Sequence, residues 1–198
     1  MNIEHFTKYL EFQDKGLKKQ ATKEIRLFID SFSNENEKYE WVWGWLPKLE
    51  ANRHSRIRHE LFQEVIFPVL RKGYLESDFR STLWLAKLIQ NIYQNTKVHE
   101  ELDWITNTSL LEKSHKLAPE NDEARLLYLE SIVSWLGYCI HEWPSGILSG
   151  NDGANLEQCQ FMRKETEVVS SLDKEMIHQD FINDFLDKLC EYEARLNK

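Results

Sequence analysis

The chain has 198 residues, a formal net charge of -8, 41% hydrophobic and 29% charged residues. That suffices for one well-buried core and lies far from the composition of disordered chains. Only seven Gly and four Pro exclude the evenly spaced turns of an all-β fold. The acidic balance argues against nucleic acid as a partner and for a basic one.

Helical periodicity runs from end to end and predicts a single all-α domain over residues 1–198 with about eight or nine helices. Ile3, Phe6, Tyr9 and Leu10 begin the first, which Gly16 interrupts. Ala21, Ile25, Phe28, Ile29 and Phe32 mark the second, and Ser33 or Asn34 caps a third that carries Trp41, Trp45, Leu46 and Leu49, with Pro47 kinking or ending it. The fourth is expected from about Ser55 to Arg71 around Pro68, with Gly73 as its C-terminal cap. The fifth starts near Ser77 or Asp78, and its wide apolar arc from Leu83 to Ile92 suits a central position.

Beyond a short segment around Val98–Ile105, Ser109 and Glu112 form a predicted capping box for the sixth helix. Ala118-Pro119-Glu120-Asn121 is a turn, and the seventh helix runs from about Asp122 to Ile140. The segment His141–Gly153 is the longest predicted loop, and loops are where sites concentrate. Two further helices carry Leu156, Cys159, Phe161, Met162 and Val168, and Phe181, Phe185, Leu189, Tyr192 and Leu196.

The string Leu111–Tyr128 resembles the junction between two tetratricopeptide repeats, with Ser114 at the small position, Pro119 at the proline, and Ala124 and Tyr128 where the next helix packs. The resemblance covers one junction and implies stacked antiparallel helical hairpins, tetratricopeptide-like or an irregular solenoid or bundle. It assigns no binding residues. Such stacks usually present a surface to a protein or peptide.

Four groups of residues invite a functional reading. Trp41 and Trp45 share a helical face and Trp43 lies opposite, so either all three enter the core or Trp43 is an exposed anchor for a protein partner. Asp180, Asp184, Asp187 and Glu191 form one row of carboxylates whose mutual repulsion a basic partner would relieve; a solvated helix face gives the same pattern. His141, Glu142, Trp143 and Ser145 place a base, a carboxylate, a ring and a hydroxyl together, either as nucleophile machinery or as a rigid loop around Pro144. The basic cluster from Arg53 to His59 is similar to the active-site motif of HEPN-type ribonucleases. That resemblance implies RNA cleavage, with His54 or His59 acting at the ribose hydroxyl and Arg53 stabilising phosphate charge. An anion site or a solvated helix start would use the same residues.

No metal-ligand spacing, phosphate-binding glycine loop or nucleophile elbow is present, so neither metal nor cofactor is expected. Cys139, Cys159 and Cys190 are unpaired by pattern and odd in number. With a charged N-terminal stretch and no apolar run of about 18 residues, they point to reduced thiols, the cytoplasm and no membrane span. Together these features predict a non-enzymatic interaction module, in its most concrete form an immunity-type inhibitor of a basic toxin or nuclease. The HEPN-like enzyme is the alternative.

Overall fold

The computed structural model describes residues 1–51 and 57–197. It is predominantly helical, with one two-stranded ribbon, and its contacts fall into two compact units, Met1–Thr106 and Asn107–Lys198. Among the described residues no helix is long and apolar enough to cross a membrane.

The first unit contains α1 (Ile3–Asp14), α2 (Lys18–Asp30) and α3 (Glu35–Ala51). A continuous rod over 59–75, here α4, follows, then α5 (Phe79–Lys87), α6 (Ile89–Tyr93) and α7 (Thr96–Glu100). α1 ends where Gly16 takes a left-handed φ of 70°. The N–H of Leu17 then reaches the Phe12 carbonyl at 2.8 Å and closes the last turn. Asn34 caps α3 by accepting the Glu37 N–H at 3.0 Å, and the Glu37 carboxylate accepts the Ser33 N–H at 2.7 Å. Pro47 does not end α3, which continues to Ala51. It sits on the exposed face, where water can solvate the carbonyl that its missing N–H leaves unbonded.

In α4 the helix widens to a π turn over Phe62–Ile66, and the Phe67 N–H bonds the Phe62 carbonyl. The wide turn precedes Pro68, whose ring would press on the Glu64 carbonyl of a regular α-helix. Gly73 is not the cap expected from the sequence: α4 runs on to Leu75, and the residue with left-handed geometry is Ser77, at φ 58°. Leu88, at φ -101° and ψ 19°, breaks the predicted fifth helix into α5 and α6, and the segment after it folds as α7. These changes raise the count among the described residues to eleven when α4 is taken as one helix. The core of the unit is aromatic: Phe6, Phe28 and Trp41 are buried with Leu46, Phe62, Leu70, Leu85 and Ile92.

The second unit contains α8 (Asn107–Leu117), α9 (Asp122–Cys139), the ribbon β1 (Leu148–Ser149) with β2 (Asp152–Gly153), α10 (Leu156–Leu172) and α11 (Gln179–Leu196). α8 begins two residues before Ser109, which therefore lies inside the first turn and is no cap. Glu112 pairs instead with Lys116 at 2.5 Å. α8 and α9 pack against each other across the 118–121 turn, with Ser114, Ala124 and Tyr128 buried. The expected loop His141–Gly153 contains the ribbon, and its Ile147 is fully buried. Cys139 and Cys159 are buried free thiols, and burial pushes the Cys139 thiol up to about 11; Cys190 is free and exposed.

Burial, followed by the neighbouring charge of Glu112, raises the Glu165 carboxyl above the ordinary carboxylate range. A raised folded-state pKa means that folding favours the protonated form. Its contribution to stability is full below the ordinary carboxylate pKa and is lost as pH rises through the raised value. Glu165→Gln is therefore expected to raise the melting temperature near neutral pH, with the gain vanishing in acid. Equal melting shifts at both pH values would contradict this.

Candidate functional site

On α11 the buried residues Ile182, Phe185, Leu189 and Tyr192 recur at intervals of three and four and turn one face to the core of the second unit. The same rotation carries Asp180, Asp184, Asp187 and Glu191 to exposed positions. Part of their repulsion is relieved within the helix: Lys188 donates to Asp184 and Arg195 to Glu191, each at 2.5 Å and one turn away. Asp180 and Asp187 enter no ion pair among the described residues. Asp180 lies in the first turn, where the helix dipole favours a negative charge.

The loop candidate is joined to the end of this stripe. Arg195 donates to the Pro144 carbonyl at 2.6 Å, and its guanidinium lies 4.7 Å over the Trp143 ring. The buried Tyr192 hydroxyl donates to the Ala154 carbonyl at 3.1 Å. A Cβ on Gly153 would stand 3.0 Å from that hydroxyl, so the glycine allows the ribbon to approach α11. Trp143, Glu191 and Arg195 thus form one corner, and the Trp143–Pro144 peptide within it is cis.

The corner lacks the arrangement a serine nucleophile needs. Nδ1 of His141 donates to the Tyr138 carbonyl at 2.6 Å, its ring stacks on Tyr138 at 4.8 Å, and Nε2 faces Glu142 at 3.1 Å. Both ring nitrogens therefore face acceptor oxygens, and neither is paired with Ser145. The Ser145 N–H donates to the Glu142 carbonyl at 2.8 Å, which tightens the turn. The hydrogen bonds of His141 and Ser145 close the turn on itself and bring no base to the Ser145 hydroxyl.

In the first unit, Trp41 and Trp45 stack at 5.1 Å and 13°, with Trp41 buried. Trp43 lies on the other face and is half-buried, between the two alternatives of full burial and exposure. Arg80 covers its ring at 4.4 Å and Tyr39 stands at 6.2 Å, edge to face. Its indole Nε1–H is buried without an acceptor. Trp43, Tyr39, Pro68, Lys72 and Arg80 contribute to a cleft of about 540 Å³.

Arg53 and His54 lie outside the described residues. His59 is exposed, with Nδ1 3.2 Å from the buried carboxylate of Glu60, which Arg58 grips at 2.9 and 3.1 Å. Burial works to raise the Glu60 carboxyl, but the Arg58 hydrogen bonds and charge prevail and hold it below the usual range. Arg58 is thereby committed to a structural carboxylate. No group of three or more His, Cys, Asp or Glu that could hold a metal occurs among the described residues.

Sequence reasoning missed Arg195, although its position four residues after Glu191 is a readable signal. That it also holds the loop depends on a contact 51 residues away and has no local signature. Against family models, curated proteins and solved structures, the chain finds no match.

Proposed function

We propose that this chain is a non-enzymatic, cytoplasmic protein-binding module built from helical hairpins, which meets a basic partner through the carboxylate face of α11. Its most concrete form is an immunity-type inhibitor that occludes the basic active site of a toxin or nuclease. The observation that carries the reading is the pair Asp180 and Asp187, exposed and without a cationic partner, on a helix whose other two stripe carboxylates are already paired. Unpaired surface carboxylates steer a cationic protein into encounter and accelerate association more than they tighten the final complex.

The test uses tagged wild-type protein and Asp184→Lys/Asp187→Lys as parallel baits in native lysate, with retained proteins identified by mass spectrometry and the association rate then measured with the purified partner. A basic protein should be retained by wild type, and charge reversal should slow its association by about tenfold or more at low salt. A partner indifferent to the reversal, or none on either bait, would sink the charge-driven reading and turn attention to RNA cleavage at His59.

A further inference from the structure

Between α10 and α11 the chain makes a tight connection in which two neighbouring apolar side chains point outward. Met176 is 71% exposed and Ile177 68%, more than any other large hydrophobic residue described. Isolated exposed apolar residues are ordinary; here the two most exposed ones stand side by side on a connection held by hydrogen bonds. The buried Asp173 carboxylate accepts the N–H groups of Ile177 and His178 at 3.1 and 2.7 Å, and the Asp173 carbonyl accepts that of Met176 at 3.1 Å. Met176 is thereby kept at φ 53°, a conformation that a side chain of its type seldom adopts. The basic groups of the connection turn back onto α9: Lys174 lies 3.9 Å from Asp122 and His178 3.5 Å from Glu130. Glu175 and Asp180, which flank the apolar pair, have no ion-pair partner among the described residues.

We infer that Met176 and Ile177 are the apolar anchor of the docking surface proposed above, and that their occupant is a protein offering an apolar socket edged by lysine or arginine. The inference rests on the proposed binding function and adds the part of the surface that retains the partner. A hydrophobic pair carried on a backbone already held by hydrogen bonds loses little backbone freedom on docking, and such anchors dominate interface energetics while surrounding charges set the encounter rate. Charge selects the occupant. A second copy related by two-fold symmetry would bring Glu175 and Asp180 against their own counterparts, and an anionic lipid surface would repel the same carboxylates.

The experiment measures association and dissociation rates of the purified basic partner with wild type, Met176→Asn/Ile177→Ser and Asp184→Lys/Asp187→Lys, at about 0.05 M and about 0.3 M salt. Asparagine tolerates the left-handed backbone of Met176, and both side chains are exposed, so unchanged melting of the anchor variant serves as the folding control. The anchor variant should bind about 30-fold more weakly at both salt concentrations, through faster dissociation. The charge variant should lose association rate chiefly at low salt. If the anchor variant binds as wild type while charge reversal still weakens the complex, the anchor is overturned and the binding module stands. Failure of both variants to change binding, or capture of no basic partner, overturns both. A wild-type dimer in analytical ultracentrifugation that the anchor variant converts to monomer would name a second copy as the occupant and overturn the basic-partner assignment.

Discussion

Gly73→Ala is expected to lower the melting temperature by about 4–8 °C, although alanine is the better helix former by about 1 kcal/mol. A Cβ at position 73 would stand 2.0 Å from Ser81 Oγ, 2.7 Å from Ser81 Cβ and 3.3 Å from Asp78 Oδ2. Rotation of the serine hydroxyl removes the first clash but not the second, because Ser81 Cβ is fixed to the backbone of α5. The chain cannot easily yield there. The N–H of Asp78 bonds the Gly73 carbonyl at 2.8 Å, Ser77 N–H bonds the Tyr74 carbonyl at 3.2 Å, and the Asp78 carboxylate caps α5 at the Ser81 N–H, also at 2.8 Å. Overpacking of this kind costs about 3 kcal/mol, which outweighs the gain in propensity. Adding Ser81→Gly to Gly73→Ala should restore much of the loss, since it deletes both clashing atoms. A single Gly73→Ala variant that melts at or above wild type would show that α4 and α5 separate freely, against this geometry.

The same corner shows what the sequence could disclose about the fold. Helix positions were legible because apolar residues recur at helical spacing, and the Asn34 and Asp78 starts were legible because their side chains act within three residues. Gly73 was misread for a physical reason: a glycine near a helix end signals either a left-handed cap or a close approach, and only the position of Ser81, eight residues on, decides. The actual left-handed residues after α4 and α7, namely Ser77, Asp103 and Trp104, are not glycines. Their geometry is enforced by carbonyls of the preceding turn, as in the Asp103 N–H to Glu100 bond at 3.0 Å and the Trp104 N–H to His99 bond at 3.0 Å. The π turn was likewise invisible, because Pro68 announces a disturbance without specifying its form.

The candidate site divides in the same way. The carboxylate row of α11 follows from spacing alone, whereas its union with Trp143 depends on Arg195 crossing from helix to loop. Met176 and Ile177 carry no periodic signal and stand outside the helical patterns on either side. Their exposure became evident only with Asp173 in place, turned inward and bonded to the backbone of the residues that follow.

Trp41→Ala is expected to be among the most damaging single changes in the first unit, at about 4 kcal/mol, whereas Trp43→Ala should cost about 1 kcal/mol. Trp41 is 8% exposed and meets Phe6 at 5.2 Å, Phe28 at 5.1 Å and Phe32 at 6.0 Å edge to face, besides stacking on Trp45. Removing its indole takes one member from each of four aromatic pairs and leaves a void that rigid rings cannot refill by rotamer change. Trp43 loses less: its contacts are the Arg80 guanidinium on one side and Tyr39 at the edge, both able to follow a smaller side chain into the cleft. Removing its unpartnered indole N–H also relieves a buried polar group. Urea titrations of the two variants, compared at matching m-values, give the difference directly. A larger loss for Trp43→Ala would place that ring in the core and remove it as a contact for a partner; the expected order keeps it available as a second, aromatic contact that can be deleted in binding experiments without unfolding the unit that holds it.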